Sequence, residues 1–269
     1  MNSKIKEAFD NEPKSTLKKI LIALVVLSIL YWSYSTIEFK GLMQSGFIIA
    51  KNIIKGFFNP DLKLLFSLTK KGVLYLLLQT ACIAFLGTII GGILAIPLAF
   101  ISSSNIVPKF ISRFGTFIIA AIRTFPAFVY ALMFIRVTGP GPFAGVLTMS
   151  VTSIGMISKL YIEAIEDLDG GIIESLDAAG CNTFEKIRYG ILPQLSTNFI
   201  STAIYRFEIN LKNASILGLV GAGGIGAPLL FAMDGYNWSA VGSLLIGLIT
   251  LVLFVEFYSS KIRNKLARG

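Results

Sequence analysis

The chain has 269 residues, of which 54% are hydrophobic and only 14% are charged, and its formal net charge is +9. Soluble domains carry roughly 25% charged residues, so this composition indicates a membrane protein. Because the chain contains no histidine, Ser-His-Asp and Cys-His nucleophiles are excluded and a zinc site is disfavoured. The positive charge is better explained by anionic lipid than by nucleic acid.

Long apolar runs predict an all-α membrane fold with six spans. The run from Val73 to Ile101 is well beyond the ~20 residues that cross a bilayer. The first run follows a basic stretch, and because no convincing cleavage site comes after it, we interpret it as a retained anchor. The predicted spans are residues 20–37, 74–101, 114–137, 142–163, 195–218 and 239–258.

The distribution of lysine and arginine predicts that both termini lie in the cytoplasm. Short connections rich in these residues stay inside, whereas the connections at residues 139–142 and 219–237 contain none. One segment disagrees with this rule, because it should lie outside and is nevertheless basic. It covers residues 38–72 and contains Lys40, Lys51, Lys55, Lys63, Lys70 and Lys71.

Isoleucines and phenylalanines alternate with these lysines at nearly helical spacing between residues 48 and 58. This pattern predicts an amphipathic helix at the membrane interface, with a solvated basic loop as the alternative. We therefore divide the chain into two parts. Residues 1–72 hold the tail, the first span and the basic segment, and residues 73–269 form a five-helix core.

The stretch GLVGAGGIGAPL, residues 218–229, contains the pattern G-x-G-x-x-G of dinucleotide-binding loops. That loop should follow a strand, whereas here it follows a long apolar span, and the required acidic residue is not at its usual distance. We therefore reject a nucleotide site. Glycines also allow close backbone approach, which predicts a tight re-entrant turn that lines or closes a passage, formed by Gly221, Gly223, Gly224 and Gly226.

The segment ESLDAAGCNTFEKIRYGILPQ, residues 174–194, lies between the fourth and fifth predicted spans. Gly180 can end a helix sharply, and Pro193 fits the first turn of the following span. The segment therefore predicts a short helix, a turn and a second short helix along the cytoplasmic membrane face.

Ionisable residues at membrane depth usually face the bundle interior or a watery cavity. Span three contains Arg123, and span five contains two polar stripes at about 100° per residue. One stripe holds Arg206, Asn210 and Asn213. The other holds Glu208, Lys212 and Ser215, where the acid and the lysine form an i,i+4 pair.

The segment 174–194 resembles the cytoplasmic EAA loop of permease subunits of binding-protein-dependent ABC importers, whose pattern is E-A-A-x3-G-x9-I-x-L-P. Ser175 and Leu176 replace the two alanines, and Gly190 stands at the isoleucine position. The positions that match in type and spacing are Glu174, Gly180, Leu192 and Pro193.

Within that superfamily the chain is most similar to the phosphonate transport permease, through residues 123–147, residues 205–226 and the loop itself. The resemblance implies a type I importer permease fold and alternating access in the bacterial cytoplasmic membrane. It also implies a second permease copy, two ATPase subunits and an extracytoplasmic solute-binding protein as partners. Because this chain has no P-loop, ATP and Mg²⁺ should bind to the partner ATPase, and no cofactor or metal is expected on this chain.

In the family the loop docks into the ATPase subunit, which implies a coupling loop at about residues 164–194 here. The residues that carry this expectation are Glu174, Asp177, Ala178, Ala179, Gly180, Phe184, Leu192 and Pro193.

We expect Arg206 and Arg123, assisted by Asn210 and Asn213, to favour passage of an anion such as a phosphonate. The alternative is that both arginines pair with acids or with carbonyl groups at the span ends and only hold helices together. Glu208 and Lys212 complete the set of candidate pathway residues. A permease for methionine or a quaternary amine is the main alternative function, and a membrane-embedded enzyme or a structural anchor ranks lower.

Overall fold

The computed structural model describes residues 16–37 and 44–267. Residues 1–15 of the predicted tail and Lys40 lie outside these described residues. The chain divides into two compact units, residues 1–49 and residues 50–269. All regular secondary structure in the described part is helical, which confirms the predicted all-α class.

Twelve α-helices and one π-helical segment, Lys186–Ile191, make up the described part of the chain. The α-helices in chain order are α1 (Thr16–Thr36), α2 (Gln44–Phe58), α3 (Leu62–Leu65), α4 (Val73–Ser102), α5 (Lys109–Thr124), α6 (Ala127–Thr138), α7 (Pro142–Glu166), α8 (Gly170–Ala178), α9 (Thr183–Glu185), α10 (Leu192–Gly218), α11 (Gly226–Asp234) and α12 (Trp238–Ala267).

Four of the described helices, α1, α4, α7 and α12, are long and apolar enough to cross a membrane. The pair α5 and α6 reaches the same standard only if the two helices count as one bent span. Helix α10 has 27 residues, enough to cross a bilayer at about 1.5 Å per residue, but its charged residues lower its hydropathy. The predicted number of six spans therefore requires that α5 and α6 count as one bent span and that α10 counts as another.

The prediction of one continuous span over residues 114–137 was wrong. Helix α5 ends at Thr124, and α6 begins at Ala127 after a bend of 83°. Pro126 causes the break, because it has no N–H group and forces the preceding residue out of the helical region. Phe125 accordingly has extended angles, φ −88° and ψ 130°.

Helices α4 and α7 form the centre of the second unit. They approach closely because α4 presents glycines to α7. A methyl group at Gly87 would overlap with Met149, and one at Gly91 would overlap with Ser153. Helices α5, α6 and α10 also pack against α7, which therefore contacts four neighbouring helices.

The basic segment forms helix α2, which confirms the helix predicted there. Gly56 is buried against the backbone of Trp238, and Gly242 of α12 lies equally close to the Gly56 carbonyl. Ser243 Oγ also donates to the Asp61 carbonyl oxygen at 3.0 Å. The second half of α2 is thus attached to the start of α12, and its location at the membrane interface stays a prediction.

Candidate functional site

A buried polar cluster connects the middle of α10 to α7. Arg206 donates from Nε to Ser153 Oγ at 3.1 Å and from Nη1 to Met156 Sδ at 2.9 Å. The arginine is only 6% exposed, and no carboxylate of the described residues forms an ion pair with it. Its positive charge is therefore held by neutral partners, which is unusual for a cation at membrane depth.

Asn210 extends the same cluster to a third helix. Its Nδ2 group donates to Ser153 Oγ at 2.7 Å and to Thr88 Oγ1 at 2.9 Å, so Ser153 accepts hydrogen bonds from both polar residues of α10. The Oδ1 atom of Asn210 is buried and has no hydrogen-bond partner among the described residues. Among the described residues, the Arg206 guanidinium thus has no carboxylate partner, and the Asn210 side-chain oxygen has no hydrogen-bond donor.

The two arginines predicted for the pathway contact α7 at positions that are two residues apart. Arg123, which the sequence placed within span three, lies in the last turn of α5, directly before the bend. The stem of Arg123 covers Gly155, because a methyl group there would lie 2.8 Å from Cγ of the arginine. Since Arg206 binds Ser153, the two contacts are about 3 Å apart along the axis of α7.

Arg123 differs from Arg206 in its surroundings, because Arg123 is exposed. Asn213, the third residue of the predicted stripe, is half-buried, and its side chain makes no hydrogen bond to a described residue. The structure therefore joins Arg206 and Asn210 directly, and it leaves Arg123 and Asn213 outside their hydrogen-bond cluster.

The second predicted stripe of α10 forms an ion network with α12. Lys212 Nζ lies 3.2 Å from both Glu208 Oε1 and Glu256 Oε2, so the predicted i,i+4 pair is confirmed. Arg263 Nη2 approaches Glu208 Oε2 at 3.4 Å. The network contains two acids and two bases, which balance one another and connect the two helices.

The glycine turn between α10 and α11 follows left-handed backbone angles. Gly221, Gly223 and Gly224 have φ values of 93°, 83° and 76°, a region that side chains disfavour. Gly226 has a different role, since it begins α11 and lies against the backbone of Gly218. The tight turn predicted from the sequence is therefore present.

Helix α4 holds this turn in place through two side chains. Gly224 N donates to Gln79 Oε1 at 3.0 Å, and Ile225 N donates to Thr80 Oγ1 at 2.9 Å. On its other side, the Gly221 carbonyl accepts from Gly141 N at 2.8 Å. The turn is thus part of the packed structure at the start of α7.

The predicted coupling loop contains the expected break at Gly180, which has φ 79°. Pro193 lies in the first turn of α10, as predicted. The second short helix begins with α9 and continues through the π-helical segment directly into α10. It is therefore the start of the long helix, and not a separate element.

The predicted coupling residues differ in their exposure. Leu192 is half-buried at the start of α10. The exposed members of the predicted set, in α8, the turn and the segments that follow, are Glu174, Asp177, Ala178, Ala179, Gly180, Phe184 and Pro193.

Sequence reasoning missed several partners of these residues. Asn182 and Glu185 form a capping box at the start of α9, for which the spacing N-x-x-E was an available signal. No sequence pattern singles out Thr88 or Ser153, because serine and threonine are common in membrane helices. Their hydroxyl groups usually bond to the backbone of the same helix. Glu256 and Arg263 were also missed, since their partners are in another helix.

A family model described as the inner membrane component of binding-protein-dependent transport systems matches residues 87–261. The chain belongs to this family. The matched residues of this permease include the buried cluster, the predicted coupling loop and the glycine turn.

Relatives of the permease are transport proteins. The putative phosphite transport system permease protein HtxC of Stutzerimonas stutzeri is 32% identical over 98% of this chain and 94% of its own length. The phosphate-import permease protein PhnE of Mycolicibacterium smegmatis is 32% identical over 70% of this chain and 36% of its own length. The putative cryptic phosphonate transport system permease protein PhnE2 of Escherichia coli is 38% identical over 44% of this chain and 97% of its own length.

Solved structures share the fold of the permease. A chain of the inward-facing MetNI methionine ABC transporter matches with a TM-score of 0.64 over 72% of this chain and 95% of that chain, at 20% identity. A chain of an amino acid ABC transporter matches with a TM-score of 0.59 over 84% of this chain and 99% of that chain, at 18% identity. The permease therefore has the type I ABC importer permease fold.

Proposed function

We propose that this permease carries phosphorus oxyanions, namely phosphonates or phosphite, across the bacterial cytoplasmic membrane by alternating access. The observation that carries this proposal is Arg206, a buried cation without an acidic partner among the described residues. Relatives named for phosphite, phosphate and phosphonate transport supply the substrate class.

Arg206 acts on the substrate through its electrostatic potential. The side chain is too buried for direct coordination, but a charge in a low-dielectric interior has a strong and long-ranged effect. That potential attracts an anion to the adjoining passage and opposes a cation. Arg123 supplies the direct contact, because its exposed guanidinium can present paired donors to phosphorus-bound oxygens.

The energy for transport comes from partner subunits. Two copies of the permease enclose the passage, and two ATPase subunits, which bind ATP and Mg²⁺, dock on the exposed residues of α8 and the turn at Gly180. A solute-binding protein delivers the oxyanion on the opposite side, where the glycine turn lies.

Both termini of the permease are on the ATPase side, and the chain itself catalyses no reaction.

A quaternary amine is the alternative substrate class. The glycine betaine transport permease protein OpuAB of Bacillus subtilis is 22% identical over 72% of this chain. A cationic headgroup would meet the field of Arg206 unfavourably, so the geometry favours the oxyanion.

The test is uptake of labelled methylphosphonate, phosphite and glycine betaine by cells with and without the permease gene. We expect uptake of one or both phosphorus oxyanions to require the gene, while uptake of glycine betaine is unchanged. Loss of glycine betaine uptake alone would overturn the oxyanion assignment and leave the importer fold intact.

A further inference from the structure

The coupling loop contains a size-matched contact between Leu176 of α8 and Gly190 of the π-helical segment. A methyl group built on Gly190 would overlap with Cδ1 of Leu176, so the leucine side chain lies directly over the glycine. Gly190 is buried and Leu176 is half-buried. We call this the Leu176–Gly190 contact.

The same contact explains two departures from the EAA pattern. Leucine stands at residue 176 where the pattern has a small alanine, and glycine stands at residue 190 where the pattern has a large isoleucine. The larger residue on one side is thus matched by the smaller residue on the other. Because packed interiors tolerate volume-conserving changes best, the two departures compensate each other.

The two faces of α8 have different surroundings. Glu174 and Ala178 are one helical turn apart and are exposed. Leu176 is on the opposite side of α8 and packs over Gly190 of the π-helical segment. Two further interactions hold α8 to the next segments. Asp177 forms an ion pair with Lys186, and Cys181 N donates to the Leu176 carbonyl at 3.0 Å.

Gly190 is continuous with the long helix that carries the buried cluster. The π-helical segment passes directly into α10 at Leu192, and no flexible linker separates Gly190 from Arg206. A displacement of α8 would therefore act, through Leu176, on the π-helical segment that leads into α10.

We propose that Leu176 is a positioning residue that transmits movement of α8 to α10 through the Leu176–Gly190 contact. This inference rests on the proposed docking of an ATPase subunit on the exposed face of α8. It adds the residue pair through which the docked loop acts on the spans.

A double-substitution cycle in the assembled transporter tests this proposal. Gly190→Ile places a branched side chain where Leu176 lies, and we expect methylphosphonate and phosphite uptake to fall roughly tenfold or more. Leu176→Ala empties the space over Gly190 and should give a smaller loss. The double variant Leu176→Ala/Gly190→Ile has the small side chain at residue 176 and the large one at residue 190. We expect it to recover most of the uptake.

Gly190→Ala is the matched control at the same position. Its single methyl group meets only the end of the Leu176 side chain, which can rotate away, so uptake should stay close to that of the wild type. Co-purification of the ATPase subunits should be unchanged in all four variants. ATP hydrolysis should continue in Gly190→Ile while uptake falls, because docking is preserved and transmission is lost.

Two results would overturn the proposal. One is normal uptake by Gly190→Ile, and the other is a double variant that transports no better than Gly190→Ile. If Gly190→Ile fails to assemble, assembly and uptake regained in the double variant support the size match, and their absence contradicts it. Failure of the wild type to take up either oxyanion would refute the proposed substrate alone, because ATP hydrolysis stimulated by the solute-binding protein would still report the contact.

Discussion

The Nε group of Arg206 lies 3.1 Å from the Oγ atom of Ser153, and this hydrogen bond joins the middle of α10 to the middle of α7. The same serine accepts a hydrogen bond from Asn210, whose amide also reaches Thr88 of α4. The Ser153 hydroxyl and the Asn210 amide therefore join three helices of the core, beside a cation that pairs with no acid of the described residues.

Removal of the Arg206 charge should reduce transport without preventing assembly. We expect Arg206→Gln to lower methylphosphonate and phosphite uptake roughly tenfold, because the positive potential is lost. Arg206→Lys keeps the charge and should retain more uptake. Arg136→Gln is the control, since this exposed arginine lies outside the cluster. A complex that no longer assembles in Arg206→Gln would instead indicate a purely structural arginine.

Gly91 and Gly92 are neighbours that should respond in opposite ways to alanine. The new methyl group in Gly91→Ala would overlap with Ser153 and lie 2.7 Å from the Ser150 carbonyl oxygen, so we expect a loss of about 1–3 kcal/mol in the free energy of unfolding. In Gly92→Ala the nearest atom is 3.8 Å away, and the better helix propensity should stabilise by about 0.5–1 kcal/mol. Thermal unfolding in detergent, followed by circular dichroism, measures both. Equal midpoints for the two variants would contradict the close packing of α4 on α7.

Glu208 should matter more for stability than Glu256, although both acids bind Lys212. The Glu208 side chain is 10% exposed and also faces Arg263, whereas that of Glu256 is 49% exposed. We expect Glu208→Gln to cost about 1–2 kcal/mol, because it leaves Arg263 without its acid in a partly screened network. Glu256→Gln should cost less than about 1 kcal/mol. Unfolding by denaturant at low and high salt checks the order, and a larger effect of Glu256→Gln would show that the network is centred elsewhere.

Two glycines with positive φ, Gly139 after α6 and Gly224 in the glycine turn, allow backbone strain to be separated from crowding. Gly139 and Gly224 both have positive φ, but a methyl group at Gly139 meets nothing within 4 Å, whereas one at Gly224 would lie 2.7 Å from Thr80 Oγ1. Gly139→Ala should therefore cost about 1–3 kcal/mol from its backbone angles alone, because φ 82° with ψ 165° is a region that essentially only glycine adopts. Gly224→Ala should cost more, because it also disturbs the hydrogen bond from Ile225 N to Thr80. Melting temperatures give the comparison, and equal shifts would show that Thr80 does not restrain the turn.

Much of the coupling loop could be predicted from its sequence. Gly180 and Pro193 act through their own backbones, and the structure has both where the sequence placed them. The pair of Glu208 and Lys212 was also predictable, because residues four apart on a helix are neighbours. The break in span three was missed, although Pro126 is a local signal, since the apolar run continues across it.

The sequence by itself determined the membrane class, the helical periodicity, the turn glycines and the polar stripes of α10, because each depends on residues close together in the chain. Only the tertiary structure decided that Ser153 and Thr88 hold Arg206 and Asn210, and that Glu256 and Arg263 join Glu208 and Lys212. It also showed that Leu176 fills the space over Gly190. These contacts join residues on different elements, and their geometry is fixed only when the helices pack.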